Sequence, residues 1–322
     1  MSLIKKFVCV ILLQRAITLS ACNVATEFNF STGYRNDTLE RANRLQLEPP
    51  ALSQKDYIKI NNINLWQIGL NSRLMLPPTK RGCHIWSWRN FFLTGFAYWG
   101  IAGNGANLHE QITNEVAKQI GQAKMKNIST SDYQGGVGYL FEKDCWDVSL
   151  SAGYGYDRQK VQANYGQIAF TPHSDFIEAP LYSSGYRTTT IWKGAWVGTE
   201  IFYTWSSEMS RLVRLSLGYE FHPVHYTANH SIPVDATAME QGMETTTKSS
   251  HAFGNVLWLN GRHFFCENWE WGATFTYRRW SAHRGRLTSA YFARNGYPPT
   301  TTVSATGKWI SYAINFDIGY AF

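Results

Sequence analysis

The last twelve residues constrain the fold more than any other stretch. In Ser311-Tyr312-Ala313-Ile314-Asn315-Phe316-Asp317-Ile318-Gly319-Tyr320-Ala321-Phe322, every second residue is apolar or aromatic. The residues between them are small or polar. A period of two marks a strand, because successive side chains leave opposite faces. An amphipathic strand on a soluble sandwich reads the same way locally. A strand of about ten residues, apolar outward and polar inward, is also one stave of a closed barrel spanning a bilayer. The rest of the chain separates the two.

Of 322 residues, 15% are aromatic and only 16% are charged. Soluble domains usually carry about 25% charged residues. Lipid contact and aromatic girdles account for both departures. Outside the N-terminus there is no run of ~20 apolar residues, so no helix is expected to cross a membrane. The formal charge of +7 raises nucleic acid as a partner. The Lys and Arg are scattered without a basic block, and nucleic-acid binding is not expected.

The first residues read as an export signal. Lys5-Lys6 precedes Phe7-Val8-Cys9-Val10-Ile11-Leu12-Leu13, and a small-residue region ends at Ala21-Cys22. Residues 1–22 are therefore expected to be a signal peptide and 23–322 the barrel. Leu19-Ser20-Ala21-Cys22 also looks like a lipobox, which would place a lipid on Cys22. Ordinary cleavage near 21–25 is the preferred reading, since Gln14-Arg15 interrupts the segment.

Alternation recurs along the chain. A first strand covers Glu27–Tyr34, followed by a polar stretch read as a loop through Pro49-Pro50. A second starts at Tyr57, with Trp66, Ile68 and Leu70 on one face and Gln67, Gly69, Asn71 and Arg73 on the other. The third, Trp88–Gly100, is too uniformly apolar for its faces to be assigned. A long loop is expected over Ala102–Ser131. The fourth, Asp132–Phe141, and the fifth, from Trp146, are joined by a short turn. The fifth turns Asp147 and Asp157 inward. The sixth is read at 186–205 after a loop at 161–185. The seventh carries Leu215, Leu217, Tyr219 and Phe221 outward against Arg214, Ser216, Glu220 and His222 inward. The eighth is Lys248–Asn260, after a loop at 229–247. The ninth sets Trp269, Trp271, Phe275 and Tyr277 against Glu270, Thr274, Thr276 and Arg278. A last loop at 283–305 leads to the closing strand.

Ten strands with long loops alternating with short turns predict a ten-stranded antiparallel transmembrane β-barrel, with short periplasmic turns and long outer loops. An even count places both termini on the periplasmic side, and closure removes the sheet edge that lipid cannot satisfy. The inward residues Arg73, Asp147, Glu200, Arg214, Glu220, Glu270, Arg278 and Asp317, with Asp157, are candidates to line the lumen. Ten strands lie near the size that side chains fill. These charges are expected to pair across the interior, leaving a narrow pore or none.

Other chemistry is thinly supported. His222, His225 and His230 fall within nine residues, but neither spacing nor neighbours complete a zinc set. They are read as rim residues of the seventh strand, and no metal or cofactor is expected. Gly100–Gly105 lacks the Lys-Ser/Thr of a phosphate loop. Of five cysteines, Cys9 lies in the signal segment and Cys22 at its boundary. Cys83, Cys145 and Cys266 each sit at a short turn, just before a Trp, and are expected on the oxidising periplasmic rim. An odd number leaves one thiol available to an envelope partner, or all three free.

The ten-strand rhythm resembles the omptins, the outer-membrane aspartyl-type proteases. The similar stretches are Gln54–Leu76, Ala97–Gln111 and Tyr139–Asn164. A second resemblance is to outer-membrane proteins of environmental chlamydiae such as Protochlamydia. It rests on Gly138-Tyr139-Leu140-Phe141 with Cys145-Trp146, on Gly153-Tyr154-Gly155-Tyr156-Asp157, and on Trp192-Lys193-Gly194-Ala195-Trp196-Val197-Gly198. The omptin resemblance implies an acidic pair facing an Asp–His couple that together activate water. Here the acidic positions fall on Glu110 and Ile112, and the couple on His230 and Ile232. One carboxylate survives and the couple does not. A rearranged site using His109, Glu110, His225 and His230 is the enzyme alternative, an omptin-like endopeptidase. These four are otherwise solvated loop residues. The Protochlamydia resemblance implies a porin-like or envelope role.

The sequence thus predicts a non-enzymatic bacterial outer-membrane protein, either a narrow porin-like channel or a barrel presenting its outer loops. Its expected partners are outer-membrane lipid, the barrel-assembly machinery recognising the terminal Phe322, and envelope proteins reached by disulfides. Non-reducing gels of isolated outer membranes are expected to show reduction-sensitive complexes through Cys83, Cys145 or Cys266. Monomer alone would sink the cross-linking idea.

Overall fold

Strand after strand runs past the point where its apolar alternation ends. The computed structural model describes residues 26–46, 53–75, 90–102, 107–113, 118–143, 145–171, 179–180, 187–206, 212–232, 242–265, 268–292 and 300–321. They form β1 (Thr26–Gln46), β2 (Ser53–Met75), β3 (Phe91–Ala102), β4 (Asn107–Thr113), β5 (Lys118–Lys143) and β6 (Trp146–Thr171). These are followed by β7 (Ala179–Pro180), β8 (Arg187–Ser206), β9 (Leu212–Ile232), β10 (Gly242–Phe264), β11 (Trp269–Phe292) and β12 (Thr300–Ala321). Both β3 and β4 lie between β2 and β5, so they are two pieces of one stave. The two residues of β7 only touch the upper end of β6. What remains is a closed ring of ten antiparallel staves, sealed where β1 pairs with β12 from Glu27↔Ala321 to Arg44↔Ser304.

At the short-turn end the predicted faces hold. Leu150, Tyr154, Leu215, Leu217, Trp271, Phe275, Ile314 and Phe316 are exposed on the outside. Their neighbours Ser149, Ser216, Glu270, Asn315 and Asp317 are buried inside. Trp146, Trp205, Trp269 and Trp271 form one outer aromatic belt, and Tyr34, Trp66, Tyr133 and Tyr312 belong to the other. The third stave, unassignable from sequence, turns Phe92 and Tyr98 inward and Leu93 and Ile101 outward.

Beyond the second belt the pattern inverts. On β2, Trp66 faces out and Gln67 in, but higher up Ile58, Ile60, Ile63 and Leu65 are buried inside. On β6, Arg158 and Lys160 face water while Val161 is buried. On β9, His225 and Asn229 are outside while Val224, Tyr226 and Ala228 are inside. The lower half is inside-out, as lipid demands, and the upper half is a soluble barrel with an apolar core. Irregularities punctuate the change: pairing slips between Asp37 and Leu39, Lys126 and Ser129, Ser249 and Ala252, and Ala282 and Gly285. Asn62, Asn127 and Arg284 take positive φ there.

This inversion corrects several expected boundaries. The polar stretch after Tyr34 is the upper part of β1. The supposed loop Ala102–Ser131 contains β4 and the first half of β5. Within the segments read as loops at 161–185, 229–247 and 283–305, residues 161–171, 229–232, 242–247, 283–292 and 300–305 are upper ends of β6, β9, β10, β11 and β12. They looked like loops because, in water, a stave needs no apolar outer face. A stave of 21 residues, such as β1, is about 70 Å long and stands roughly 50 Å tall at barrel tilt. The apolar band is only about 25 Å tall, so much of the barrel projects from the membrane. Residues 1–22, Cys83, Cys266 and Phe322 lie outside the described residues.

Inward glycines make room for inward aromatics. A Cβ on Gly218 would fall 2.0 Å from the Trp258 ring, on Gly254 2.2 Å from Trp280, and on Gly138 2.2 Å from Phe92. Each ring lies flat against the neighbouring stave where that stave has no side chain. Gly254→Val is therefore expected to destabilise the barrel by about 1–3 kcal/mol through overpacking. Gly135→Val, where a Cβ meets nothing within 4 Å, should be tolerated. Denaturant titration of the two variants, read by heat-modifiable gel mobility, checks this.

Candidate functional site: the barrel lumen

Three tiers fill the interior. The lowest, at the short-turn end, is ionic. The Arg73 guanidinium on β2 donates to Glu200 on β8 across the lumen at 2.8 Å. Arg214 on β9 reaches Glu27 on β1 at 3.2 Å, and Arg262 on β10 reaches Glu270 on β11 at 2.5 Å. Asp317 accepts from neutral donors, the hydroxyls of Ser31 and Thr274 at 2.5 Å each. Arg73 also stacks between Phe92 and Phe202, at 4.8 and 5.0 Å. Partner and ring hold each charge where water is scarce.

The middle tier crosses the barrel. Arg35 on β1 donates to Asp37 at 2.9 Å and to Asp132 on β5 at 2.5 Å. Arg278 on β11 pairs with the same Asp132 and approaches Asp157 on β6 at 3.8 Å. Gln159 donates to Asp37 at 3.2 Å. Arg35, Asp37 and Asp132 are essentially without solvent contact.

Above this lies an aromatic and aliphatic layer. Trp192, Trp280 and Trp309 are fully buried there, with Tyr226, Ile60, Ile63, Leu65 and Met125, whereas the equally buried Trp196 lines the cavity below. Trp192 packs on Tyr226 at 4.4 Å and on Trp280 at 5.9 Å, and Trp280 stacks on Trp309 at 6.2 Å. The Arg35 guanidinium sits 5.0 Å from the Trp309 ring and ties the two upper tiers together. Side chains that line a water path keep solvent contact; these do not.

The structure brings most of the lumen candidates together on the inner wall. Arg73, Glu200, Arg214, Glu270, Arg278 and Asp317 belong to the two ionic tiers, Glu220 stands beside them against Gln134 and His222, and Asp147 is half-buried on the inner face of β6 near its turn. Sequence reading missed Glu27, Arg35, Asp37, Asp132 and Arg262. The signal for Arg35 and Asp37 was present, since they continue the inward phase of Asn29, Ser31 and Gly33. It was hidden because their outward neighbours cease to be apolar.

The histidines are corrected. They are not together on a rim: His222 and His230 point inward and are buried, whereas His225 is exposed outside. His222 faces Glu220 at 2.9 Å, and His230 lies 3.5 Å from the Thr188 hydroxyl. No metal cluster exists among the described residues. Glu110 pairs with Ile58 on β4's ladder to β2, and His230 with Thr188 on β9's ladder to β8. They occupy strands, not loops, on staves four places apart around the ring. Cys145 is an exposed free thiol in the turn between β5 and β6.

A closed ten-stave ring with an apolar outer band and aromatic belts defines an outer-membrane β-barrel protein. Residues 29–322 match the family described as Protochlamydia outer membrane protein, and the chain belongs to that family. No curated protein matches. Among solved structures, the outer membrane protease OmpT of Escherichia coli superposes with a TM-score of 0.69 at 11% identity. That match covers 94% of this chain and 99% of that one. The outer membrane protein OprG of Pseudomonas aeruginosa gives a TM-score of 0.33 at 10% identity, covering 92% and 95%. The first likeness shows the fold.

Asp132→Ala strips both arginines of their shared carboxylate and is expected to cost about 3–5 kcal/mol. Glu27→Ala, nearer the solvent, should cost about 1 kcal/mol or less. Urea unfolding in micelles, followed by tryptophan fluorescence, compares them.

Proposed function

We propose that this protein is a non-enzymatic envelope barrel, shut at rest, that presents its tall outer wall and loops at the cell surface. The observation that carries this reading is the buried layer of Trp192, Trp280 and Trp309 with Tyr226. It lies directly above an ion cluster that is itself dry. A hydrophobic constriction of this kind excludes water and ions. Most of the inward charges then serve cohesion, paired with one another across or along the ring, and do not line a conducting path.

Two further parts of the reading follow from the sequence. Export through residues 1–22 and assembly through the alternating last strand, ending in Phe322, account for how such a barrel reaches the outer membrane. The omptin-like endopeptidase remains the alternative. Against it stand the inward, buried setting of His230 and the isoleucines at positions 112 and 232. A water-activating centre needs a second carboxylate and an Asp–His couple, and these positions supply neither.

Planar-bilayer recording of the refolded protein tests the proposal. Silence is expected from wild type. Steady single-channel openings would overturn it in favour of the porin-like reading, with Arg73, Arg214 and Arg278 as selectivity residues.

A further inference from the structure

The lower half of the lumen is not solid. A cavity of about 170 Å³ lies between the lowest ionic tier and the tryptophan layer. A second, of about 80 Å³, lies below it and shares Asn71, Arg73, Glu200, Asn260 and Arg262 with it. Together they make a shaft. Solvent contact fades along it: the side chain is 26% exposed at Glu27, 13% at Glu200 and 10% at Glu220, and Asp132, in the ionic tier outside its lining, is 0% exposed. The shaft is therefore open at the short-turn, periplasmic end and blind at the other.

Its chemistry is uneven. Each arginine on the upper cavity already has a carboxylate: Arg73 has Glu200, Arg262 has Glu270, and Arg278 has Asp132. Glu220 differs. Among the described residues it has no arginine or lysine partner; it accepts from the Gln134 side-chain amide at 2.9 Å and faces His222 at 2.9 Å. The cavity that it lines is also walled by the aromatic rings of Phe92, Phe96, Tyr98, Trp196 and Trp258. These walls already hold cations against their faces, Arg73 over Phe92 at 4.8 Å and Arg278 over Phe96 at 5.7 Å. Aromatic walls beside a carboxylate that has no arginine or lysine partner are an arrangement that recognises an ammonium group.

We propose that the blind end of this shaft is a binding site for a small organic cation, an alkyl- or quaternary ammonium group, entering from the periplasm. The charge of Glu220 supplies attraction and the rings replace water around the ligand. The site needs no open pore and stands independently of whether the barrel conducts. A bilayer recording can therefore fail the shut-barrel reading while leaving this one intact, and the reverse.

Isothermal titration of the full barrel in non-ionic maltoside micelles tests it, with choline chloride as probe. Saturable binding is expected for choline and none for sodium acetate at equal ionic strength. Glu220→Gln, which keeps shape and hydrogen-bonding atoms, should weaken choline binding by about tenfold or more. Glu40→Gln, on the wall outside the shaft, should leave it unchanged. Phe96→Leu, which removes a ring and no charge, should also weaken binding, and decides the matter if Glu220→Gln does not fold. No saturable heat from wild type, equal affinity in both lining variants, or an equal response to acetate would overturn the proposal.

Discussion

A strand in hydrocarbon has no water to satisfy its backbone, so every N–H and C=O must find a partner within the sheet. The β1–β12 ladder provides this at the seam, pairing residues 27–44 with 304–321. Everything else depends on that closure. It fixes ten staves, and ten staves fix a bore narrow enough for side chains from opposite walls to touch. The Arg73–Glu200 and Arg35–Asp132 pairs exist because the bore is that narrow. A wider ring would leave the same charges lining water.

The narrow bore then sets which side chains fit. A tryptophan projecting straight inward would compete for space with the side chains of the other staves. Gly136, Gly153, Gly218 and Gly254 let rings lie flat along the barrel surface, with a would-be Cβ on each only 2.0–2.5 Å from the nearest atom. Flat rings at the membrane level leave the shaft, and a dense layer above it closes the bore. The same device thus yields both a cavity and a plug, according to how many aromatics share a tier.

Legibility from sequence followed solvent. Inside the lipid band, period-two alternation with apolar residues outward made strands and faces legible, as at Leu215–His222 and Ser311–Ala321. Above it the alternation persists but its polarity reverses, with Ile58, Ile60, Val161 and Val224 inside and Lys160, Lys193 and His225 outside. A reader holding one polarity takes such segments for loops. Bulges at Asp37/Leu39 and Ala282/Gly285 also shift the phase by a residue or two, which breaks a strict period-two count. Partners that meet across the ring, such as Arg278 with Asp132, are 146 positions apart in the chain. No local pattern announces them.

The two polarities also explain why charges and aromatics occupy different heights. Within the membrane the outside is apolar, so the polar residues of an alternating strand are forced inward and must neutralise one another. In the projecting half the outside is wet, so the apolar residues turn inward and bury themselves as in any soluble core. The boundary between the ionic and aromatic tiers therefore falls near the level of the outer membrane surface. Arg35 sits at that boundary, bonded to Asp37 and Asp132 and resting against Trp309 above. The buried aromatic tier above the ionic ones is thus a consequence of a tall barrel standing half in lipid and half in water.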